Sequence, residues 1–414
     1  MKWKASIKKF FLFVMIGVLL APVTGRAQEE YSLSPDELIR VRKVEGDAWY
    51  REEKGEGWSE VYENMPILPG MSLLTDADSR VELEVSPFHF VRLGPGTEVV
   101  YRKFHKERVH LRLVDGTAFI SRLRDSARVT AVIESADGNR VSLQGVGKIR
   151  VEAWEEGGLS LFVRRGKAIL KSGGKKFLLT AGESAEANRR VKIYRQWAED
   201  EFDRWAEKED EEIEESWSES GENEDKVARG IYDLERHGEW VEVEGYGVVW
   251  RPLVVVRGWR PYTYGRWVFI APAGWVWVSS EPWGWVTYHF GSWVEVRSIG
   301  WVWVPPRRFV RWYPARVRFI VREREVRWVP VRPREKVVIY RKREPHRGFV
   351  KIINKRVVYG RPVVVRKGKK VVVKDYVVIK KGKKGKVRVK EIKVRRKGRK
   401  GKKIKVRRIE IRRR

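Results

Sequence analysis

Three segments of this chain repeat one string of glycine, tryptophan and valine at almost constant spacing, and that repeat limits the fold more than any other feature. They are Gly238-Glu-Trp240-Val241 to Trp250, Gly265-Arg-Trp267-Val268 to Gly274-Trp275-Val-Trp277-Val, and Gly291-Ser-Trp293-Val294 to Gly300-Trp301-Val-Trp303-Val. The offsets are 27 and 26 residues, and a fixed period of that length implies one supersecondary unit used repeatedly. Alternation of Trp and Val has the period of two of a β-strand, so the indoles share one face and the valines the other. Each unit therefore reads as a β-hairpin, with its first glycine opening a turn. A second register aligns Gly258-Trp259, Tyr262 and Tyr264-Gly265 with Gly284-Trp285, Tyr288 and Phe290-Gly291.

Such an aromatic face has two readings. Two hairpin faces closing on each other make the tryptophans a core, in a region with few Leu or Ile. An open face makes them a platform that stacks on sugar rings, since apolar patches of that size mark binding. The candidate core or ligand-facing residues are Trp259, Tyr262, Trp267, Trp275 and Trp277 in one copy, and Trp285, Tyr288, Trp293, Trp301 and Trp303 in the next.

Residues 36–190 read as many short strands divided by turns. Val81, Leu83 and Val85 alternate with Glu82 and Glu84, which places one face in a core and the other in water. Gly94-Pro95-Gly96, Asp115-Gly116, Asp137-Gly138, Gly157-Gly158 and Gly173-Gly174 supply the turns. The expectation is an all-β chain whose first domain is an antiparallel sandwich or short solenoid.

Val44-Glu45-Gly46-Asp47-Ala48, Trp58, Leu68-Pro69-Gly70-Met71-Ser72-Leu73-Leu74-Thr75 and Arg80-Val81-Glu82-Leu83 occur in the order that resembles a FecR domain. Val163-Arg-Arg-Gly-Lys-Ala and Ala181-Gly-Glu-Ser-Ala resemble its closing strands. Members of that family with a cytoplasmic tail and a membrane span relay iron-uptake signals to sigma factors. Here only nine residues precede the apolar N-terminal run, so that role is not implied. Asp200-Glu-Phe-Asp-Arg-Trp205 and Glu281-Pro-Trp-Gly-Trp-Val-Thr-Tyr-His-Phe-Gly-Ser-Trp293 extend the likeness. Together they resemble exported envelope proteins that join a FecR-like domain, a charged helical linker and a Trp/Gly-rich domain of unknown function. That resemblance implies architecture and address, and it stops near residue 320.

Met1–Lys9 is basic, Phe10–Leu20 is apolar, and Gly25-Arg26-Ala27 offers a small-x-small cleavage site. This is the pattern of a secretory signal over residues 1–27, too short to be an ordinary spanning helix. Retention as an anchor is the other reading. The chain is thus expected in the periplasm or cell envelope. It has no cysteine, which excludes disulfides, thiolate metal sites and a cysteine nucleophile. Its five Asn and three Gln beside abundant Arg, Lys and Glu match the composition of proteins from hot environments.

Charge is segregated along the chain. From Arg307 to the C-terminus 45 Lys and Arg face 7 acids, a net of +38, while the rest of the chain nets −5. Residues 195–230 are the opposite, with 15 acids between Glu199 and Asp225 against Arg204 and Lys208. Trp197, Phe202 and Trp205 fit one helical stripe, and the expectation is an acidic helix of about 20 residues. It reads as a charged linker fraying into a solvated spacer, or else as a docking strip for the basic tail. The tail, residues 321–414 beyond the Trp domain at 231–320, is β-prone or disordered. Its glycine turns carry Lys367, Lys369, Lys370, Lys381, Lys383, Lys384, Arg396, Lys397, Arg399 and Lys400. Cations at that density hold polyanions by counterion release, without reading sequence.

Catalytic motifs are missing: there is no Gly-x-Ser-x-Gly, P-loop or His-Glu-x-x-His string. His105 and His110 are a weak metal pair, His289 has no acid near it in sequence, and only Glu281 and Glu295 sit beside the tryptophans. No enzyme, cofactor or metal is expected. Two function classes remain. One is an envelope binding or scaffold protein that holds lipopolysaccharide, glycan or anionic lipid, with no specific nucleic acid partner. The other is a sensory or regulatory module that engages another envelope protein.

Overall fold

The structure is a computed structural model. It describes residues 33–337 and 339, apart from 54–56, 126–128, 219–228, 254–257 and 323–324. Beyond residue 340 it describes only the backbone of six short strands. The expected signal, residues 1–27, lies outside the described residues.

Alternating apolar residues build the first domain, as a strand with one buried face requires. Fifteen strands join in one hydrogen-bonded network between Ile39 and Tyr194. Three long strands, Arg108–Arg122, Arg140–Ala153 and Leu159–Ser172, run through it. Each changes neighbours part-way along. Residues 116–122 of the first pair with 147–153 of the second, whereas 108–115 pair with Glu98–His105 and Thr130–Glu134. The pairing with Thr130–Glu134 is parallel, a departure from the antiparallel expectation. Val41, Leu83, Leu111, Ile120, Val151 and Leu161 fill the interior and are essentially inaccessible.

The alternation of residues 81–85 is real, but its second face is not in water. Glu82 and Glu84 are fully buried, because two helices cover the outside of this part of the sheet. Helix α1, Glu201–Ser218, lays Phe202, Trp205, Ala206 and Ile213 against it. Phe119 packs with the first three, and Phe88 and Phe90 with Ile213. Helix α2, Ile231–His237, follows, with Tyr232 and Leu234 buried. The acidic segment is therefore a helix, as expected, with a buried apolar stripe; the expected spacer lies largely in residues 219–228, outside the described residues. Several of the helix's acids face Arg and Lys of the first domain.

The repeats form hairpins as their period requires. Gly238–Val243 pairs with Gly247–Pro252, Gly265–Ile270 with Gly274–Ser279, and Ser292–Val296 with Gly300–Val304. Trp240 faces Trp250, Trp267 faces Trp277, and Trp293 faces Trp303 across their strand pairs. Gly238 and Gly265 each begin a strand and open no turn, whereas Gly291, with φ 57°, lies in the bend ahead of its strand. A side chain at Gly238, Gly265 or Gly291 would collide with the indole of Trp250, Trp277 or Trp303 respectively. The glycine clears space for the partner strand's ring. The second register holds only in part: Gly284–His289 is a short helix, α3, while Gly258 to Tyr264 is a turn.

One further hairpin belongs to this core. Val317–Arg322 pairs with Glu325–Pro330, bringing Phe319 opposite Trp328. Phe319 and Trp328 then pack on Trp267, with ring centroids 5.0 and 5.4 Å away, and Trp312, Val317 and Val331 are buried. The expected start of the tail at residue 321 thus falls inside a folded hairpin.

Candidate functional site

Eight of the ten aromatic candidates are interior. Trp259, Tyr262, Trp267, Trp277, Trp285, Tyr288, Trp293 and Trp303 are each at most 7% exposed, leaving no face to stack on a ligand. They contact one another edge-on, with Trp267 and Trp277 5.3 Å apart, Trp259 and Trp293 5.3 Å, and Tyr262 and Tyr288 4.5 Å. Such tilted and edge arrangements suit the ring quadrupole. Trp275 and Trp301, at equivalent repeat positions, are only partly buried.

At the centre of this aromatic mass sits Glu281, fully buried and without an ion-pair partner among the described residues. The Trp259 indole donates to Oε1 at 2.5 Å, and Ser279 Oγ and the Tyr288 hydroxyl donate to Oε2. Burial raises its pKa to about 7, with the three donors offsetting part of the rise. Asn64 of the first domain donates to the Glu281 and Ser279 carbonyls, at 2.9 and 3.3 Å.

From Asn64 the polar contacts continue into a buried ionic cluster. Arg40 donates to Asn64 Oδ1 at 2.9 Å, contacts Glu84 at 3.2 Å and Asp233 at 2.7 Å, and reaches the Pro282 carbonyl at 3.3 Å. Glu84, buried and next to Asp233, is raised to about 7 despite Arg40. Glu82 is equally buried, yet Arg42 and Arg92 outweigh the loss of water and hold it at about 2. Lys148 meets Asp210 at 2.9 Å, and Arg150 meets Asp203 at 3.0 Å. These groups pin both helices, and through Arg40 and Asn64 the Trp domain, to the outer face of the first sheet.

Burial lowers His289 to about 3 and His89 to about 4, so both are neutral. His289 Nδ1 meets the Tyr313 carbonyl at 2.7 Å and its ring stacks on Trp312. His110 lies opposite Lys103, and His105 opposite Arg108, cationic surroundings that oppose metal binding. Glu295 is exposed. No group of three or more His, Asp or Glu fit to hold a metal occurs among the described residues.

Of the tail cations, Lys367, Lys370 and Lys381 lie on described strands, known by backbone alone. Lys369, Lys383, Lys384, Arg396, Lys397, Arg399 and Lys400 lie outside the described residues. The ionic cluster was not anticipated from the sequence. Its available signal was the density of Arg and Glu on alternate positions of strands 39–45 and 80–86, matched by the acids of residues 199–212. No helix among the described residues is long and apolar enough to cross a membrane.

No curated protein matches the chain. Two crystal structures of a candidate anti-sigma factor from Parabacteroides distasonis ATCC 8503 align with 40% of this chain and 73% of that one. The identity is 19% and the TM-score 0.27, a likeness too loose to bear on activity. Residues 231–335, the aromatic domain with its closing hairpin, match the model of a family of unknown function, DUF6600.

Proposed function

We propose that the protein is a non-catalytic component of the cell envelope, a rigid scaffold that holds anionic surface polymers through its basic C-terminal segment. The observation that supports this reading is where the linker's acids go. Glu199, Asp200, Glu201, Asp203, Glu207, Glu209 and Asp210 pair with Arg or Lys of the first domain, and Glu212 pairs with Arg236. Eight of the fifteen acids that were the obvious internal counterion for the +38 segment are thus committed elsewhere, and the other seven fall far short of its charge. Its charge is then balanced by small ions, which a polyanion displaces. Closure of the aromatic domain points the same way, because binding by charge remains where stacking faces are withdrawn.

The test is retention on immobilised heparin and on lipopolysaccharide, comparing the full chain with one ending at Lys336. Strong retention that falls steeply with salt, and that drops when residues 337–414 are removed, supports the scaffold. Retention unaffected by that truncation overturns the tail's role. Capture of one envelope protein with no affinity for either polymer favours a regulatory module instead.

A further inference from the structure

The outer face of the first sheet is only half covered. Helix α1 lies over strand segments 116–122, 147–153 and 159–164, where Phe119, Lys148, Arg150 and Phe162 point outward. Past the register shifts near residues 144–148, the same strands continue with their outward residues in solvent. Val109, Leu111, Val141, Leu143, Ala168 and Leu170 face the core there, so the residues between them form an outward β-surface, exposed or partly exposed.

That surface is basic in an unusual way. Lys176 stands directly opposite Lys171, and Lys171 directly opposite Arg140, with Glu134 next and Arg112 beyond it. Like charges in direct cross-strand register destabilise a sheet, and here three follow one another before an acid intervenes. Glu134 is engaged by Arg140 at 3.3 Å. On the flanking positions Lys167, Arg108 and Lys103 are exposed, and among the described residues no carboxylate forms an ion pair with Lys103, Arg108, Lys167, Lys171 or Lys176. His110 records the convergence: its pKa is lowered by partial burial and then by Lys103, with Arg140 and Arg108 adding to the effect against Glu134. Through the middle the apolar pair Leu178 and Ile169 lie opposite each other, with Ser142 next in the row. Leu178 is 58% exposed.

We infer that this face is a binding surface for an extended acidic polysaccharide, separate from the C-terminal segment. The strands stand about 4.8 Å apart, so the cations form a row across the sheet with a step of the order of one sugar ring. Carboxylates of the polymer meet Lys176, Lys171, Arg140 and Arg112, while the C–H faces of its rings lie on Leu178 and Ile169. Among the described residues this face consists of strands alone, with no helix to enter a nucleic-acid groove. The inference shares its ligand class with the proposed function, but not its site.

A residue-resolved footprint on the full chain tests it. Lysine acetylation is followed by mass spectrometry with and without polygalacturonate. Lys103, Lys167, Lys171 and Lys176 are expected to be protected, with exposed Lys192 unchanged. If about four charges are neutralised, affinity read at these lysines falls roughly tenfold when salt is doubled. The double variant Lys171→Glu, Lys176→Glu should lose protection at Lys103 and Lys167 while tail lysines keep theirs. Unchanged labelling of the four lysines overturns the site, and so does equal protection by neutral dextran. Protection by duplex DNA or phosphatidylglycerol vesicles, but not by polygalacturonate, overturns the ligand class. Protection confined to the tail lysines overturns this surface and leaves the proposed function standing; the reverse pattern does the opposite.

Discussion

Arg92 Nη2 lies 2.7 Å from Asp210 Oδ1, and neither side chain has any exposure. The contact is one of charge more than of hydrogen-bond alignment, since the aligned bonds of Arg92 go to Glu82 at 2.7 Å and Ser121 at 2.9 Å. Asp210 also accepts from Ser121 at 2.8 Å. One carboxylate on α1 thus compensates charges on two strands of the first domain.

Replacing Asp210 with Ala should be among the most damaging single changes in the chain. It leaves Arg92 and Lys148 without that partner in a dry site, and breaking a buried pair on one side costs about 3–5 kcal/mol. Glu201→Ala removes the partner of Arg80, but Glu201 is 77% exposed, and exposed pairs are worth about 0–1 kcal/mol. Urea unfolding of the two variants gives the comparison. Equal midpoints would show that the helix is not held by its buried charge.

Gly238→Ala tests the role assigned to the repeat glycine. Gly238 has an extended backbone that any residue adopts, so the damage comes only from the collision of a Cβ with the Trp250 ring. Overpacking of this kind costs about 1–3 kcal/mol and should alter the near-ultraviolet circular dichroism. Wild-type stability and spectrum would refute the clearance argument.

The stability contributed by Glu281 depends on pH in a direction opposite to that of a salt-bridged carboxylate. Its folded pKa of about 7 stands above the ordinary 4.5. Between those values the unfolded chain holds fewer protons, so stability is full below pH 4.5 and is lost as pH rises toward 7. Glu84 shifts the same way, whereas Glu82, held at about 2, loses its contribution only as pH falls below 4.5. Glu281→Gln removes one ionisation. Its stability relative to the parent should therefore improve from pH 5 to pH 8, by on the order of 3 kcal/mol. A stability difference independent of pH would mean that the carboxyl does not titrate in this window.

A chain ending at Pro306 should fail to close the aromatic domain, while one ending at Lys336 should close it. The shorter chain lacks Trp312, Val317 and Val331, all 1% exposed, and loss of one buried large aromatic costs about 3–5 kcal/mol. Tryptophan emission separates the two, red-shifted for the first and native for the second. A native spectrum from the shorter chain would place residues 307–331 outside the core.

What was legible in the sequence was whatever depends on a local period. Alternation gave the strands of the first domain, and the 26-residue offset gave hairpins with Trp267 opposite Trp277 and Trp293 opposite Trp303. Period alone does not say what covers the second face. Glu82 and Glu84 read as solvated because nothing local marks α1 and α2 as their cover. Likewise, the string from Gly284 to His289 copies a turn yet forms a helix. Phe319 and Trp328 escaped notice because the basic residues around them mask a hairpin that only the aromatic core explains. The open half of the sheet was hidden for the converse reason: its cations converge from five strands spread between residues 98 and 180.

The bridge from Asn64 and Arg40 to the turn at Ser279–Pro282 has a mechanical meaning. On the proposed function, a polymer gripped by the C-terminal segment would pull on the chain where it leaves Glu325–Pro330, a strand paired along its length with Val317–Arg322. That load has two routes into the first domain, the backbone through α2 and α1 and the side-chain cross-link through Arg40. A junction braced twice resists flexing more than one joined by backbone alone, so under the proposed function the protein would act as a stiff coupling between the polymer and whatever holds its other end.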